Sequence, residues 1–163
     1  MRYLQKAMVK AMHIERYTKD RIPDVIAFEK RLRQEESSWG WEIDDQYVQN
    51  VIQSFENPAF ETSLSLLAYM DGNVVGRMDS SMIHSHFDGS VKAYLDWVCV
   101  LKSYRHQGVA QALMAHLQKE LKQQGVDTLI GLIDSNTDAQ RFYRSLPNAL
   151  IRDEGIWIDI SDL

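Results

Sequence analysis

The sequence predicts an α/β protein with a mixed, mostly antiparallel twisted sheet and helices on both faces. Three observations predict it. Residues 63–101 carry β-prone apolar runs, two of them flanking Asp71-Gly72-Asn73. Residues 22–36 and 108–124 instead carry apolar side chains at helical spacing. The last β-prone run passes into the second of these helices through a short basic loop with one glycine, Gly108. Amphipathic helices and half-apolar strands in one chain can bury their apolar faces only against each other. At 163 residues a single domain over 1–163 is expected, long enough to bury most of the surface its unfolded chain exposes.

The elements follow in order. Residues 8–14 alternate weakly and read as a first strand. Residues 22–36 place Ile22, Val25, Ile26, Phe28/Glu29 and Leu32 along one helical stripe, with Pro23 in the first turn, where its missing N–H costs little. Ser37-Ser38-Trp39-Gly40-Trp41 interrupts that stripe. Asp44 or Asp45 can cap a second helix running through Phe55 and stopping before Asn57-Pro58. Residues 63–70 and 74–83 form a hairpin, because Asp-Gly accepts the positive φ angles of a tight turn. After a polar loop, residues 91–101 give another strand. The helix from Gly108 ends near Gln124-Gly125, a glycine stop. Residues 126–133 are a strand, and Asp134, Ser135 or Thr137 can cap a short helix ending before Pro147. Residues 149–151 and 155–160 supply two last strands. The order is β-α-α-β-β-β-α-β-α-β-β.

Chemistry concentrates after the 91–101 strand. The first-turn amides of a helix have no acceptors within it, and the helix dipole leaves roughly +0.5 charge there. A strand feeding a glycine loop at such a terminus is an anion site. Arg105 adds a cation, and Gly108 lets backbone come close to phosphate oxygens. The segment Arg105-His106-Gln107-Gly108-Val109-Ala110 resembles the Arg/Gln-x-x-Gly-x-Gly/Ala signature of the GCN5-related N-acetyltransferase (GNAT) family. Downstream, Asn136-x-x-Ala139-x-x-x-Tyr143 resembles the family's other landmark. The element order is similar to the family's acyl-CoA N-acyltransferase fold. Lys102, where many members have proline, and Leu146-Pro147-Asn148, where they have Leu-Gly-Phe, depart from its pattern. The tail and the Tyr104-to-Ala110 segment loosely resemble the aminoglycoside 3-N-acetyltransferase branch.

The resemblance implies acetyl-coenzyme A as cosubstrate. Arg105, His106, Gln107, Gly108, Val109 and Ala110 would hold its pyrophosphate. The backbone of Val98, Cys99 and Val100 would hold its pantetheine arm and thioester carbonyl. Tyr143 is where family members often carry the acid that protonates the departing thiolate; the plain alternative is a packed helix tyrosine. Asn136 would bond the pantetheine, or simply cap its helix. Asp96 interrupts an apolar strand, where an ionisable group costs free energy unless paired or used. Strict alternation puts it with Tyr94, Val98 and Val100, making it the candidate base; a hydrogen-bonded strand aspartate is the alternative. Glu35, Glu36, Trp39 and Trp41 lie where the family borders its acceptor, and carboxylates beside tryptophans suit a cation. They could equally be a solvated helix end and core aromatics.

Composition sets the remaining bounds. A net charge of −5 argues against a nucleic-acid or anionic-membrane binder, since phosphate binding needs clustered Lys and Arg. One cysteine, Cys99, cannot make an internal disulfide, and no stretch reads as a signal peptide or membrane span. A cytoplasmic enzyme is expected. His84 and His86 lack a third ligand at fixed spacing, so no metal is expected. The reading is transfer from acetyl-coenzyme A to a primary amine by direct attack in a ternary complex. The acceptor would be a small-molecule or peptide amine, polycations included, and a homodimer is allowed. The alternatives are a non-catalytic coenzyme A-binding or sensing module on the same fold, and an acyltransferase using another donor.

Overall fold

The computed structural model describes residues 11–151, 155, 156 and 158. The chain divides into two compact units, one up to Ile130 and one from Gly131. The first unit carries β1 (Met12–Arg16), α1 (Ile22–Glu35), α2 (Asp45–Ser54), β2 (Ser63–Met70), β3 (Asn73–His84), β4 (Val91–Val100) and α3 (Val109–Gln123). Strand β5 (Leu129–Gly131) crosses the boundary, and the second unit carries α4 (Thr137–Ser145). The sheet order is β1-β2-β3-β4-β5, with antiparallel pairing from β1 through β4.

Neighbouring residues of β3 show how the faces are used. Glycine at 76 lets α3 approach: a Cβ there would lie 2.7 Å from Val109 Cγ1 and 3.2 Å from Leu113 Cδ1. The next residue, Arg77, reaches to Glu29 of α1 on the opposite face. Helices therefore cover both faces, as the sequence predicts. The stripe Ile22, Val25, Phe28, Leu32 of α1 is buried on one side, and Val109, Leu113, Met114, Leu117 and Leu121 of α3 on the other. Between them lie the fully buried Leu66, Leu67, Val75 and Met78. The two helices thus remove apolar area from water on both sides of one sheet, at about 25 cal/mol per Å² buried.

Several boundaries differ from expectation. The first strand is Met12–Arg16, later than 8–14; residues 8–10 lie outside the described residues. Its start is set by pairing of Met12 with Met70 rather than by its own weak alternation. The α2 cap is Asp44, which accepts from Tyr47 N at 2.8 Å. The α4 cap is Asn136, accepting from Ala139 N at 2.8 Å, and not Asp134, Ser135 or Thr137. The strand expected over 126–133 shortens to β5 because Val126 N still bonds back to Leu121 O at 2.9 Å, extending the end of α3. Residues 149–151 form no strand. Of 155–160, residues 157, 159 and 160 lie outside the described residues, and Gly155, Ile156 and Ile158 carry no strand pairing.

Candidate functional site

Strand β4 is not a regular ladder. Leu95 pairs with Ser80 and Trp97 with Asp79, so Asp96 is an extra residue bulged between them. The bulge corrects the expected sidedness. Before it, Ala93 and Leu95 share the α3 face; after it, Val98 and Val100 do, opposite Met78 and Gly76. Tyr94 lies on the α1 face, so Asp96 does not alternate with Tyr94, Val98 and Val100. Nor is it buried in an apolar interior: it is exposed, while Leu95 beside it is buried. A bulge interrupts ladder bonding locally and re-aims a side chain, here a carboxylate next to the strand segment expected to meet a thioester.

Past Val100 the chain enters a 3₁₀ turn, Lys102–Tyr104, then the loop 105–108. Two of its residues take left-handed backbone: His106 at φ 59° and Gly108 at φ 83°. Glycine at 108 meets the φ requirement, and a Cβ there would have none of the described residues within 4 Å. Gly108 is also the N-cap of α3, and among the described residues no side chain caps that terminus. The N–H groups of its first turn therefore remain available to an oxygen ligand, beside open space. Val109 is buried, while His106 and Gln107 are exposed, with Gln107 Nε2 donating to Ser103 O at 3.2 Å. An anion held here meets backbone N–H donors and the positive end of α3.

The α1–α2 connection differs most from expectation. Glu35 and Glu36 do not stand open to a cation. The Glu35 carboxylate accepts from Ser103 N at 3.0 Å, Ser103 Oγ at 2.9 Å and Arg31 Nε at 2.9 Å. Burial alone would raise its pKa, but these bonds outweigh it and hold the carboxyl below its usual range. Glu36 receives Arg105 in a two-pronged pair, Nη1–Oε1 at 2.9 Å and Nη2–Oε2 at 2.5 Å. Arg105 Nε donates to Val100 O at 3.2 Å. The guanidinium expected to face phosphate thus braces the loop against α1 and β4.

Trp39 and Trp41 pack on Trp97 of β4, with ring centroids 5.3 and 5.9 Å away. Trp41 keeps 49% of its surface exposed and is crossed by Arg33 at 4.9 Å. A shallow cleft of about 460 Å³ opens between these tryptophans and the Lys30–Gln34 side of α1. Beneath lies a charged cluster that sequence reasoning missed. Glu29, only 2% exposed, accepts from Arg33 Nη1 at 2.7 Å and Arg77 Nη1 at 3.1 Å. Arg77 also meets Asp79: Nη2 donates to Oδ1 at 3.2 Å, and Nε lies 2.7 Å from Oδ2 as a charge contact outside hydrogen-bond alignment. Burial alone would lower the Arg77 pKa; Asp79 and Glu29 reverse this and hold it charged. Glu29 in the apolar stripe and Arg77 in an apolar strand were the available signals. Cys99 sits at the edge of this cluster, buried, accepting from Trp97 Nε1 at 3.1 Å. Burial pushes its thiol well above the ordinary range, which suits packing and not nucleophilic attack.

In the second unit, Asn136 uses its side-chain oxygen to cap α4. Tyr143 is half-buried, its ring 5.1 Å from Phe142 in an edge-on contact. Among the described residues, no group of three or more His, Cys, Asp or Glu is placed to hold a metal ion, and no helix is long and apolar enough to cross a membrane.

Residues 10–146 match the family model described as Acetyltransferase (GNAT) family. No curated protein matches the chain. Solved structures share the fold. One is an aminoglycoside acetyltransferase from an uncultured soil metagenomic sample, in complex with sisomicin. It has 16% identity and TM-score 0.77, with 91% of this chain and 96% of that one covered. A second is the aminoglycoside N-acetyltransferase AAC(6')-Iy in complex with CoA, at 21% identity and TM-score 0.73, covering 94% and 97%. A third is a ribosomal-protein-alanine N-acetyltransferase from Brucella melitensis, at 19% identity and TM-score 0.70, covering 91% and 98%.

Proposed function

The chain belongs to the acetyltransferase (GNAT) family, and on that premise we propose that it moves the acetyl group of acetyl-coenzyme A to a primary amine by direct attack in a ternary complex. The observation that carries this reading is the loop 105–108. Its two left-handed residues, the uncapped start of α3 and the open space beside Gly108 together fit a pyrophosphate. The coenzyme brings an activated acyl thioester; the chain must supply orientation and proton movement.

In the proposed reaction the neutral amine nitrogen bonds to the acetyl carbon and the carbon–sulfur bond breaks; the proton nitrogen then loses replaces, through water, the one Tyr143 gives to sulfur, and the proton removed beforehand from the ammonium leaves to solvent. An amine with an ordinary pKa near ~10.4 is mostly protonated at neutral pH, so it must first become neutral. Asp96 is proposed to take that proton, directly or through water. Its support is exposure at the bulge beside Trp97 and Val98. Backbone N–H groups of Val98–Val100 are proposed to polarise the carbonyl oxygen as charge develops on it. Asn136 and Tyr143 enter from their motif positions, with Tyr143 as the acid for the leaving thiolate.

The acceptor is proposed to be a small-molecule amine. A structural neighbour binds sisomicin, and the tryptophan cleft beside β4 offers apolar and cation–π contact. Glu35 and Glu36 add no attraction for a polycation, because Ser103, Arg31 and Arg105 already engage them. Calorimetry with acetyl-coenzyme A, followed by free-thiol release over aminoglycosides, small amines and peptides, tests the reading. Ligand at ~100 times Kd should add about 2.7 kcal/mol of stability. No heat and no melting shift would overturn it.

A further inference from the structure

We propose that Glu36 is a positioning residue for the coenzyme loop, acting through Arg105; this rests on the reading of 105–110 as the phosphate-binding segment. The loop has a conformational problem. His106, a residue with a Cβ, sits at φ 59°, and Gly108 at φ 83°. Left-handed backbone at a non-glycine costs about 1–3 kcal/mol and persists only where the surroundings over-determine it. The structure shows what does so. All three guanidinium nitrogens of Arg105 are bound: two to Glu36, and Nε to the Val100 carbonyl at the end of β4. One planar group therefore joins the end of α1, the end of β4 and the first residue of the loop. Two parallel N–H···O bonds fix direction as well as distance, which a lysine at 105 could not do.

The neighbouring turn is pinned by the same end of α1. Glu35 holds both the N–H and the hydroxyl of Ser103, and Arg31 bonds Glu35 and Ser103 Oγ together, the latter at 3.2 Å. Consecutive carboxylates thus grip consecutive parts of the lead-in, Glu35 at 103 and Glu36 at 105. The Arg105–Glu36 pair is partly shielded, with side chains 25% and 20% exposed, so water and salt weaken it less than an open surface pair. In this arrangement the phosphates are held by backbone N–H groups, and Arg105 serves as a strut.

A rival arrangement makes Arg105 a direct phosphate ligand, with Glu36 only occupying it meanwhile. The two predict opposite signs. If Glu36 positions the loop, Glu36→Gln and Glu36→Ala weaken acetyl-coenzyme A binding, by roughly tenfold for alanine. The KM for acetyl-coenzyme A rises alike, while kcat at saturation and the acceptor KM change little. Because the strut is one unit, Arg105→Ala with Glu36→Ala should bind no worse than Arg105→Ala alone. If Glu36 merely competes with phosphate, Glu36→Gln tightens binding. The experiment is calorimetric titration of acetyl-coenzyme A into wild type and the four variants, with melting curves confirming each is folded. Unchanged or tighter binding by Glu36→Gln, or full additivity in the double variant, overturns the proposal. A merely structural role would lower melting temperature and leave Kd of the folded protein untouched. Failure of wild type to bind would instead overturn the functional reading itself.

Discussion

Replacing Gly76 with alanine tests how closely the sheet holds the start of α3. The new Cβ would sit 2.7 Å from Val109 Cγ1, 3.2 Å from Leu113 Cδ1 and 3.4 Å from Val100 Cγ2. Real Cβ contacts do not close to 2.7 Å, so something must move. Val109 is 2% exposed and β-branched, so its side chain has little freedom to turn away. Gly76 is not a left-handed residue, so alanine pays no backbone penalty there. By restricting the unfolded chain it could even gain about 0.4–1 kcal/mol. Overpacking of this kind typically costs 1–3 kcal/mol. The net expectation is a loss of about 1–2 kcal/mol, or roughly 2–8 °C in melting temperature for a chain of this size. Val109 is also the first residue of α3, so the displacement reaches the N–H groups proposed to hold phosphate. Thermal unfolding and an acetyl-coenzyme A titration would read both effects. Shortening Val109 to alanine in the Gly76→Ala background should be less harmful than in wild type, giving a measurable coupling. A Gly76→Ala protein as stable as wild type, with equal affinity and no coupling to Val109, would refute the reasoning.

Three further outcomes are expected. Tyr143→Phe should lower turnover by about 10²–10⁴-fold while leaving coenzyme affinity close to wild type, since a proton given to the departing thiolate matters only during reaction; unchanged single-turnover rates would remove Tyr143 from the mechanism. Asp96→Asn should make transfer depend more steeply on the fraction of free amine, moving the pH profile of kcat/KM upward; superimposable profiles with equal maxima would make Asp96 structural. Glu35 is held below its usual pKa by Ser103 and Arg31, so its contribution is present above the unfolded carboxyl value of about 4.3 and is lost as pH falls through its lower folded value. Urea unfolding of wild type and Glu35→Gln should therefore show a stability gap that is constant near neutrality and narrows on acidification, and a gap independent of pH would contradict the bonding seen at Ser103.

What could be read from the chain follows the range of the interactions involved. Helices α1 and α3 and the hairpin around Asp71-Gly72 are visible because their signals are local: apolar spacing, and a dipeptide that accepts φ of 52° and 78°. The loop 105–108 is visible as a motif because its signals, an arginine and a glycine directly ahead of a helical stripe, lie within a few residues. The facing of β4 is not, because one bulged residue switches the alternation halfway, and nothing in 91–100 announces which residue is extra. Arg105 and Glu36 are 69 positions apart, and Glu29 and Arg77 are 48. Each is legible alone as an ionisable group in an informative place. Which opposite charge it meets depends on how α1 crosses the sheet, and that is a property of the packed core. The carboxylates at 35 and 36 therefore look like bait for a cation in sequence and prove to be fasteners.

The bulge at Asp96 carries one more consequence. Leu95 already faces Ser80, and Trp97 already faces Asp79. Excise Asp96, and the two halves of β4 could close into an uninterrupted ladder with every partner and every side unchanged. Register and sidedness thus do not themselves require it. Pairing alone gives no reason for this position, whatever residue fills it; what it adds is the bend of the bulge and the side chain carried on it. A chain shortened by Asp96 should fold with Trp97 still against Trp39 and Trp41, while losing the local kink and the carboxylate together. Any catalytic deficit it showed would measure what the sheet holds at that point for something other than itself.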